Sequence, residues 1–227
     1  MKLCVIPARG GSKRIPRKNI RVFCGKPMIV WAIECALQSR LFQKVIVSTD
    51  DENIADVARA AGAETPFLRP ANLADDFTPT VPVIAHAVEA SEKIGWNIEY
   101  ACCIYPCVPL LETADLVDAF ELMQRNKALF SYPVTDYAHP IQRAMRQLPS
   151  GQMQFLHPEN EMARTQDLER TYHDAGQFYW GRACAWKARM NMHTAGIGLV
   201  VPRWRVVDID NEDDWKRGEL LYKVLSR

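Results

Sequence analysis

The chain has 227 residues, 48% of them hydrophobic, enough for one ordinary domain with a sizeable core and a small appendage. Its 28 lysines and arginines balance 27 acids to a net charge of +1, which argues against a general nucleic-acid or membrane binder. Seven cysteines without C-x-x-C or His/Cys zinc spacing fit free thiols in a reducing compartment. With no apolar run of spanning length and too short a start for a signal peptide, the expected location is cytoplasmic.

In chain order, apolar runs predict strands over 3–6, 44–48, 64–68, 100–105, 128–133 and 198–201, with helical patterns between them. Pro27 opens the first helix, with Ile29, Ile33, Ala36 and Leu37 on one face. Asp51 caps the second, whose apolar face is Ile54, Val57, Ala58 and Ala61, and Gly62 closes it. The pattern repeats over 81–94 and over 114–123, the latter after a Thr113 cap. Asn211 caps a last helix that turns Trp215 and Leu220 toward the core. Strands separated by helices of this length imply an α/β fold with a doubly wound, mainly parallel, Rossmann-like sheet.

The alternation breaks over 134–177. This polar, glutamine-rich segment predicts a hairpin: a strand over 141–148, the turn Pro149-Ser150-Gly151, and a strand over 152–157. Standing off the sheet, it would expose Met145, Leu148, Met153 and Phe155 unless something covered them. The expectation is one domain over 1–227, with 134–177 inserted as a projecting element that contacts a second copy. Folding back on its own domain is the alternative.

The most informative stretch is IPARGGSKRIPRKNI, from Ile6 to Ile20, directly after the first strand. It carries Arg9, Lys13, Arg14, Arg17 and Lys18, and no acid precedes Glu34. Gly10 and Gly11 let peptide N–H groups turn inward around an anion, and Ser12 adds a hydroxyl. A loop of this kind at the carboxyl end of a strand is where open α/β sheets bind ligands, here a nucleoside triphosphate. It matches neither the Walker P-loop nor the G-x-G-x-x-G dinucleotide fingerprint, which argues against a phosphoryl-transfer kinase. A basic surface turn is the bland alternative, but a solvated face would not need every charge of one sign. At the other end of the chain, Asp208 and Asp210 flank Ile209 near the end of a late strand. Side chains two apart share a face and can hold one Mg²⁺, or Mn²⁺ in its place. Capping of the C-terminal helix is the competing role for Asp210 and Asn211.

The basic run resembles the signature of the cytidylyltransferases that activate nonulosonic (sialic-type) sugars as CMP conjugates. The blocks GKPMI (25–29), VSTDDENIADVARAAGAE (47–64), RPANLADD (69–76) and DIDNEDDW (208–215) resemble that family in its order, over nearly the whole chain. PIQRAM (140–145) and YHDAGQFYWG (172–181) are most similar to its pseudaminic acid branch. The strand-four loop reads IYPCVPLL, with Tyr105 where the neuraminic acid branch carries Gln. The resemblance implies a nucleotide-diphospho-sugar transferase type of fold, a homodimer built through the hairpin, and transfer of CMP from CTP to the anomeric hydroxyl of a nine-carbon 2-keto sugar acid. A bacterial surface glycan or flagellin is the implied destination.

On this reading Ala8, Arg9, Gly10, Gly11, Ser12, Lys13 and Lys18 hold the triphosphate, with Lys18 nearest the transferred phosphoryl group. Asn19, Ser48 and Arg69 select cytosine and ribose, although Arg69 could instead pair Asp75 or Asp76. Tyr105, Gln142, Arg143, Gln177, Phe178 and Tyr179 line the sugar, Arg143 on its carboxylate. Burial in a strand is the competing role for Phe178 and Tyr179. Arg9, Lys18 and Asp210 carry the chemistry, with Mg²⁺ on Asp208 and Asp210. Synthetases for neuraminic, legionaminic or 3-deoxy-octulosonic acids are the alternatives, and a non-catalytic nucleotide-binding dimer is a more distant one.

Overall fold

Strict alternation in the first strand decides the layering of the molecule. In β1 (Lys2–Pro7), Cys4 and Ile6 pack into one core and Leu3 and Val5 into another on the opposite face. The same split recurs in β4 (Lys44–Ser48) and β5 (Tyr100–Ile104), as expected of strands covered on both sides. The structure, a computed structural model, describes residues 1–225. A short antiparallel pair, β2 (Val22–Phe23) and β3 (Lys26–Pro27), leads into α1 (Met28–Gln38). Helices α2 (Glu52–Ala60), α3 (Thr80–Lys93) and α4 (Thr113–Arg125) form where the periodicity predicts, α2 after β4 and α4 after β5. Asp51 caps α2, accepting from Asn53 N at 2.8 Å and Ile54 N at 3.2 Å, and Gly62 closes it at φ 94°. Thr113 is not a cap: it lies inside α4, and Glu112 holds the cap position without a side-chain bond.

Beyond α4 come β6 (Phe130–Asp136), the pair β7 (Met145–Gln147) and β8 (Met153–Phe155), β9 (Tyr172–Asp174) and β10 (Phe178–Arg182). The chain ends with α5 (Ala183–Lys187), β11 (Gly196–Val200) and α6 (Glu212–Leu225). The main sheet runs β11-β6-β10-β5-β1-β4, with β9 added along β6. β1 is parallel to β4 and β5, and β6 to β11, whereas β10 is antiparallel to both β5 and β6. The doubly wound, mainly parallel sheet is therefore present, with an antiparallel strand at its centre that the six predicted strands did not include.

Several expectations need correction. Residues 64–68 form no strand beyond a single bridge from Glu64 to Ile46, because Pro66 has no N–H to give a ladder. The hairpin is shorter than predicted: Ile141–Arg143 is a 3₁₀ turn after Pro140, and only three residues on each side pair. Asp208 and Asp210 lie on no strand, since the segment 206–210 joins no ladder. Leu220 points outward at 65% exposure, whereas Trp215 is buried at 2% beside Phe23, Met28 and Ile209.

Candidate active site

The carboxyl ends of β1 and β5 open onto one cleft of about 660 Å³. Arg9, Ser12, Lys13, Arg14, Lys18 and Asn19 line it from the loop after β1, joined by Arg69, Tyr105 and Asp210. Asn19 is buried and braces the loop from within: its Nδ2 donates to Arg9 O at 2.9 Å, and its Oδ1 accepts from Cys107 Sγ at 3.5 Å. Burial pushes the Cys107 thiol up to about 12. Gly10 N donates to Asp50 Oδ1 at 3.0 Å, tying the loop to the one after β4. Ala8, Gly10, Gly11 and Ser48 are not on the lining. Ala8 and Ser48 are fully buried beneath it.

Asp76, which sequence reasoning set only against Arg69, neutralises the loop. Asp76 takes Arg9 at 2.6 Å and also Lys13, whose hydrogen bond is the main reason its carboxyl lies below the usual carboxylate value. The signal was available in the doubled acid of RPANLADD. Arg69 does not pair Asp75 or Asp76. It is buried, donates to the Ser48 hydroxyl at 3.2 Å and to the Ser48 carbonyl, and burial pulls its pKa down to about 10. Ser48 is thereby held as a support of Arg69, which itself reaches the cleft.

Asp210 is the meeting point of the two ends of the chain. Arg14 reaches both of its oxygens, at 2.8 and 2.9 Å, and Lys18 Nζ lies 3.7 Å away while donating to Ile209 O at 2.7 Å. Burial, then the neighbouring Asp210 charge, raise the Asp208 carboxyl above its ordinary value, and Lys18 opposes them. Asp210 is not the helix cap. Asn211 Oδ1 accepts from Asp213 N and Asp214 N, while Asp214 Oδ2 accepts from Asp210 N and Asn211 N.

A second cleft of about 690 Å³ shares Arg14 and Asp210 with the first and adds Asp208, His173, Asp174, Tyr137, Arg203 and Arg217. Neither Arg203 nor Arg217 was singled out from the sequence, because single arginines in a polar run give no spacing signal. Of the residues predicted to line the sugar, Tyr105 alone reaches either cleft. Its hydroxyl is 2.6 Å from Thr80 Oγ1, and burial raises its pKa to about 12. Tyr179 is buried against Tyr105, ring centroids 5.4 Å apart, and donates to Asp174 Oδ2 at 2.7 Å. Phe178 is fully buried on the opposite face of β10, so the strand role holds for it. Gln177 is buried and donates to Arg205 O at 3.1 Å. Gln142 donates to Glu169 O at 3.0 Å within the segment 134–177, and Arg143 is exposed there.

The fold is shared with a solved CMP:2-keto-3-deoxy-manno-octonic acid synthetase complexed with CTP, at a TM-score of 0.73 and 18% identity over 99% of both chains. The family model described as Cytidylyltransferase matches residues 3–193. A pseudaminic acid cytidylyltransferase of Campylobacter jejuni subsp. jejuni serotype O:2 is 41% identical over 225 residues, 98% of this chain and 96% of that protein. A CMP-N,N'-diacetyllegionaminic acid synthase of Legionella pneumophila is 37% identical over 120 residues, 53% of this chain and 52% of that protein. These likenesses make the protein a nucleotidyltransferase. More narrowly, the chain belongs to the cytidylyltransferase family.

Proposed function

We propose that the protein joins CTP to the anomeric hydroxyl of pseudaminic acid, giving CMP-pseudaminic acid and pyrophosphate. One observation carries this reading: a cationic cleft at the carboxyl ends of the parallel strands adjoins a second cleft through Asp210 and Arg14. A donor bound in the first meets an acceptor bound in the second at that junction. Full-length likeness to the Campylobacter pseudaminic acid enzyme supports the choice of acceptor.

In this reading Arg9 and Lys13 exchange Asp76 for oxygens of the triphosphate, and Lys18 neutralises charge at the transferred phosphoryl group. Lining the two clefts against each other holds the hydroxyl in line with the leaving pyrophosphate. Asp208 and Asp210 fit Mg²⁺ or Mn²⁺: both are hard oxygen donors, and no group of three or more ligating side chains is gathered among the described residues. Such a donor set suits an ion completed by water and phosphate oxygens. When bound, the ion would polarise the α-phosphate and lower the pKa of the attacking hydroxyl. In this reading Asp210, which lines both clefts, takes the released proton.

The projecting segment serves a homodimer, in which Gln142 and Arg143 complete the sugar site of the other copy. Exposure of Met145 and Met153 on the paired strands supports this. No helix among the described residues is long and apolar enough to cross a membrane, and a CTP-dependent activation belongs in the cytoplasm. Pyrophosphate release with CTP and Mg²⁺ tests the proposal, with pseudaminic, legionaminic and N-acetylneuraminic acids compared in parallel. Release favouring pseudaminic acid, and falling by at least about 100-fold in Asp210→Ala, is the expected result. Preference for either other acid would overturn the acceptor assignment.

A further inference from the structure

The segment 205–210 that carries the two carboxylates belongs to no sheet, yet side chains hold its main chain at several points. Gln177 Nε2 donates to Arg205 O at 3.1 Å, Lys18 Nζ to Ile209 O at 2.7 Å, and Asp210 N to Asp214 Oδ2 at 3.1 Å. The Ile209 side chain is buried between the two acids. At the start of the segment, Arg205 is 8% exposed and meets Asp115 with two bonds, Nη1 to Oδ2 at 2.6 Å and Nη2 to Oδ1 at 3.0 Å. Glu112 lies 3.1 Å from the same Nη1.

Asp115 sits in the first turn of α4, where the helix N-terminus favours a carboxylate. That turn is itself tied to the sheet, because Trp180 Nε1 of β10 donates to Leu116 O at 3.0 Å. Arg205 is thus held twice by the rigid body, through its guanidinium to α4 and through its carbonyl to the residue that precedes β10. Gln177 makes the second bond even though its Oε1 stays buried without a partner. A buried ion pair is a poor source of net stability compared with apolar side chains of similar volume, so its use here points to geometry.

We infer that Arg205, clamped by Asp115 and Gln177, is a positioning residue that sets where Asp208 and Asp210 stand. The inference rests on the reading of those two carboxylates as the metal site. It touches neither substrate, and its role is to hold a segment that no ladder bonds hold.

The test measures Mn²⁺ binding by electron paramagnetic resonance in full-length protein saturated with CTP, with no acceptor acid present. CTP affinity in EDTA is measured beside it. Arg205→Lys loses the two-point fork, and the double variant Arg205→Met with Asp115→Leu removes the charged pair without leaving either charge unpaired. Both are expected to weaken Mn²⁺ by about tenfold or more, as loss of residues that orient metal ligands does, with CTP affinity in EDTA changed by less than about twofold. Wild-type Mn²⁺ affinity in the folded double variant, when Asp210→Ala binds no Mn²⁺, would overturn the inference alone. Equal losses of Mn²⁺ and CTP affinity would overturn it too, as collapse of the cleft. Wild-type Mn²⁺ binding by Asp210→Ala would remove the metal site itself, and the inference with it.

Discussion

Gly10→Ala sets the loop after β1 against the neighbouring helix in a way that can be worked from distances. A Cβ at this position would stand 2.7 Å from Asp51 Oδ2 and 3.0 Å from Asp51 Cβ. The carboxylate cannot simply swing aside, because its other oxygen caps α2 through Asn53 N and Ile54 N. Either the cap breaks, at about 1 kcal/mol, or the loop is pushed off α2 and strained. Overpacking of that kind costs about 1–3 kcal/mol, so the two routes give similar magnitudes. In a chain of this size each kcal/mol lowers Tm by roughly 2–4 °C, so a fall of roughly 2–12 °C is expected. A shifted loop also loses the Gly10 N bond to Asp50, and CTP affinity measured calorimetrically should fall with it. Gly11→Ala is the control: nothing lies within 4 Å of its Cβ, so its stability should stay within about 0.5 kcal/mol of wild type. An unchanged Tm for Gly10→Ala, or an equal fall for Gly11→Ala, would refute the argument.

Asp115→Ala leaves the buried Arg205 guanidinium with the half-exposed Glu112 as its one carboxylate partner among the described residues, so urea unfolding should show a loss of about 3–5 kcal/mol. The double variant Arg205→Met with Asp115→Leu should recover most of that loss. His86 offers a pH test. Burial, aided by Arg69 and Lys93 and opposed by Glu89, lowers its pKa, and its Nδ1 is buried without a partner. The unfolded chain therefore takes up this proton first, so stability falls as pH drops below about 6.5 and the group contributes nothing above that range. His86→Phe keeps the edge contact to Phe67 and should make the decline of Tm with acid shallower, which melts across that range would show.

Much of the layering was legible because it rests on local chemistry. Short continuous apolar runs at 3–6, 44–48 and 100–104 read as strands covered on both faces, and Asp51 and Gly62 punctuate α2 by rules that act within a few residues. Errors arose where a short-range signal met a longer-range competitor. The run 64–68 has strand composition, but Pro66 leaves a gap in any ladder. The sequence QFYWG of 177–181 carries aromatic content that suits a binding loop as well as a core strand. Only the neighbouring β5 and β6, far apart in the chain, make it the centre of the sheet.

The candidate site divides along the same line. A one-signed cluster of cations after a first strand, and two acids spaced by one residue, are readable because charge and spacing are properties of the chain itself. What they meet is not. Asp76 on Arg9 and Lys13, Asp210 on Arg14, and Arg205 on Asp115 join residues 63 to 196 positions apart. The sequence by itself determined the doubly wound layering and the one-signed charge of the loop after β1, since each depends on neighbours within a turn or two. The tertiary structure alone decided which acid faces which cation, that a second cleft shares Asp210, and how a segment without ladder bonds is held. Those depend on through-space distances that a linear order of residues does not contain.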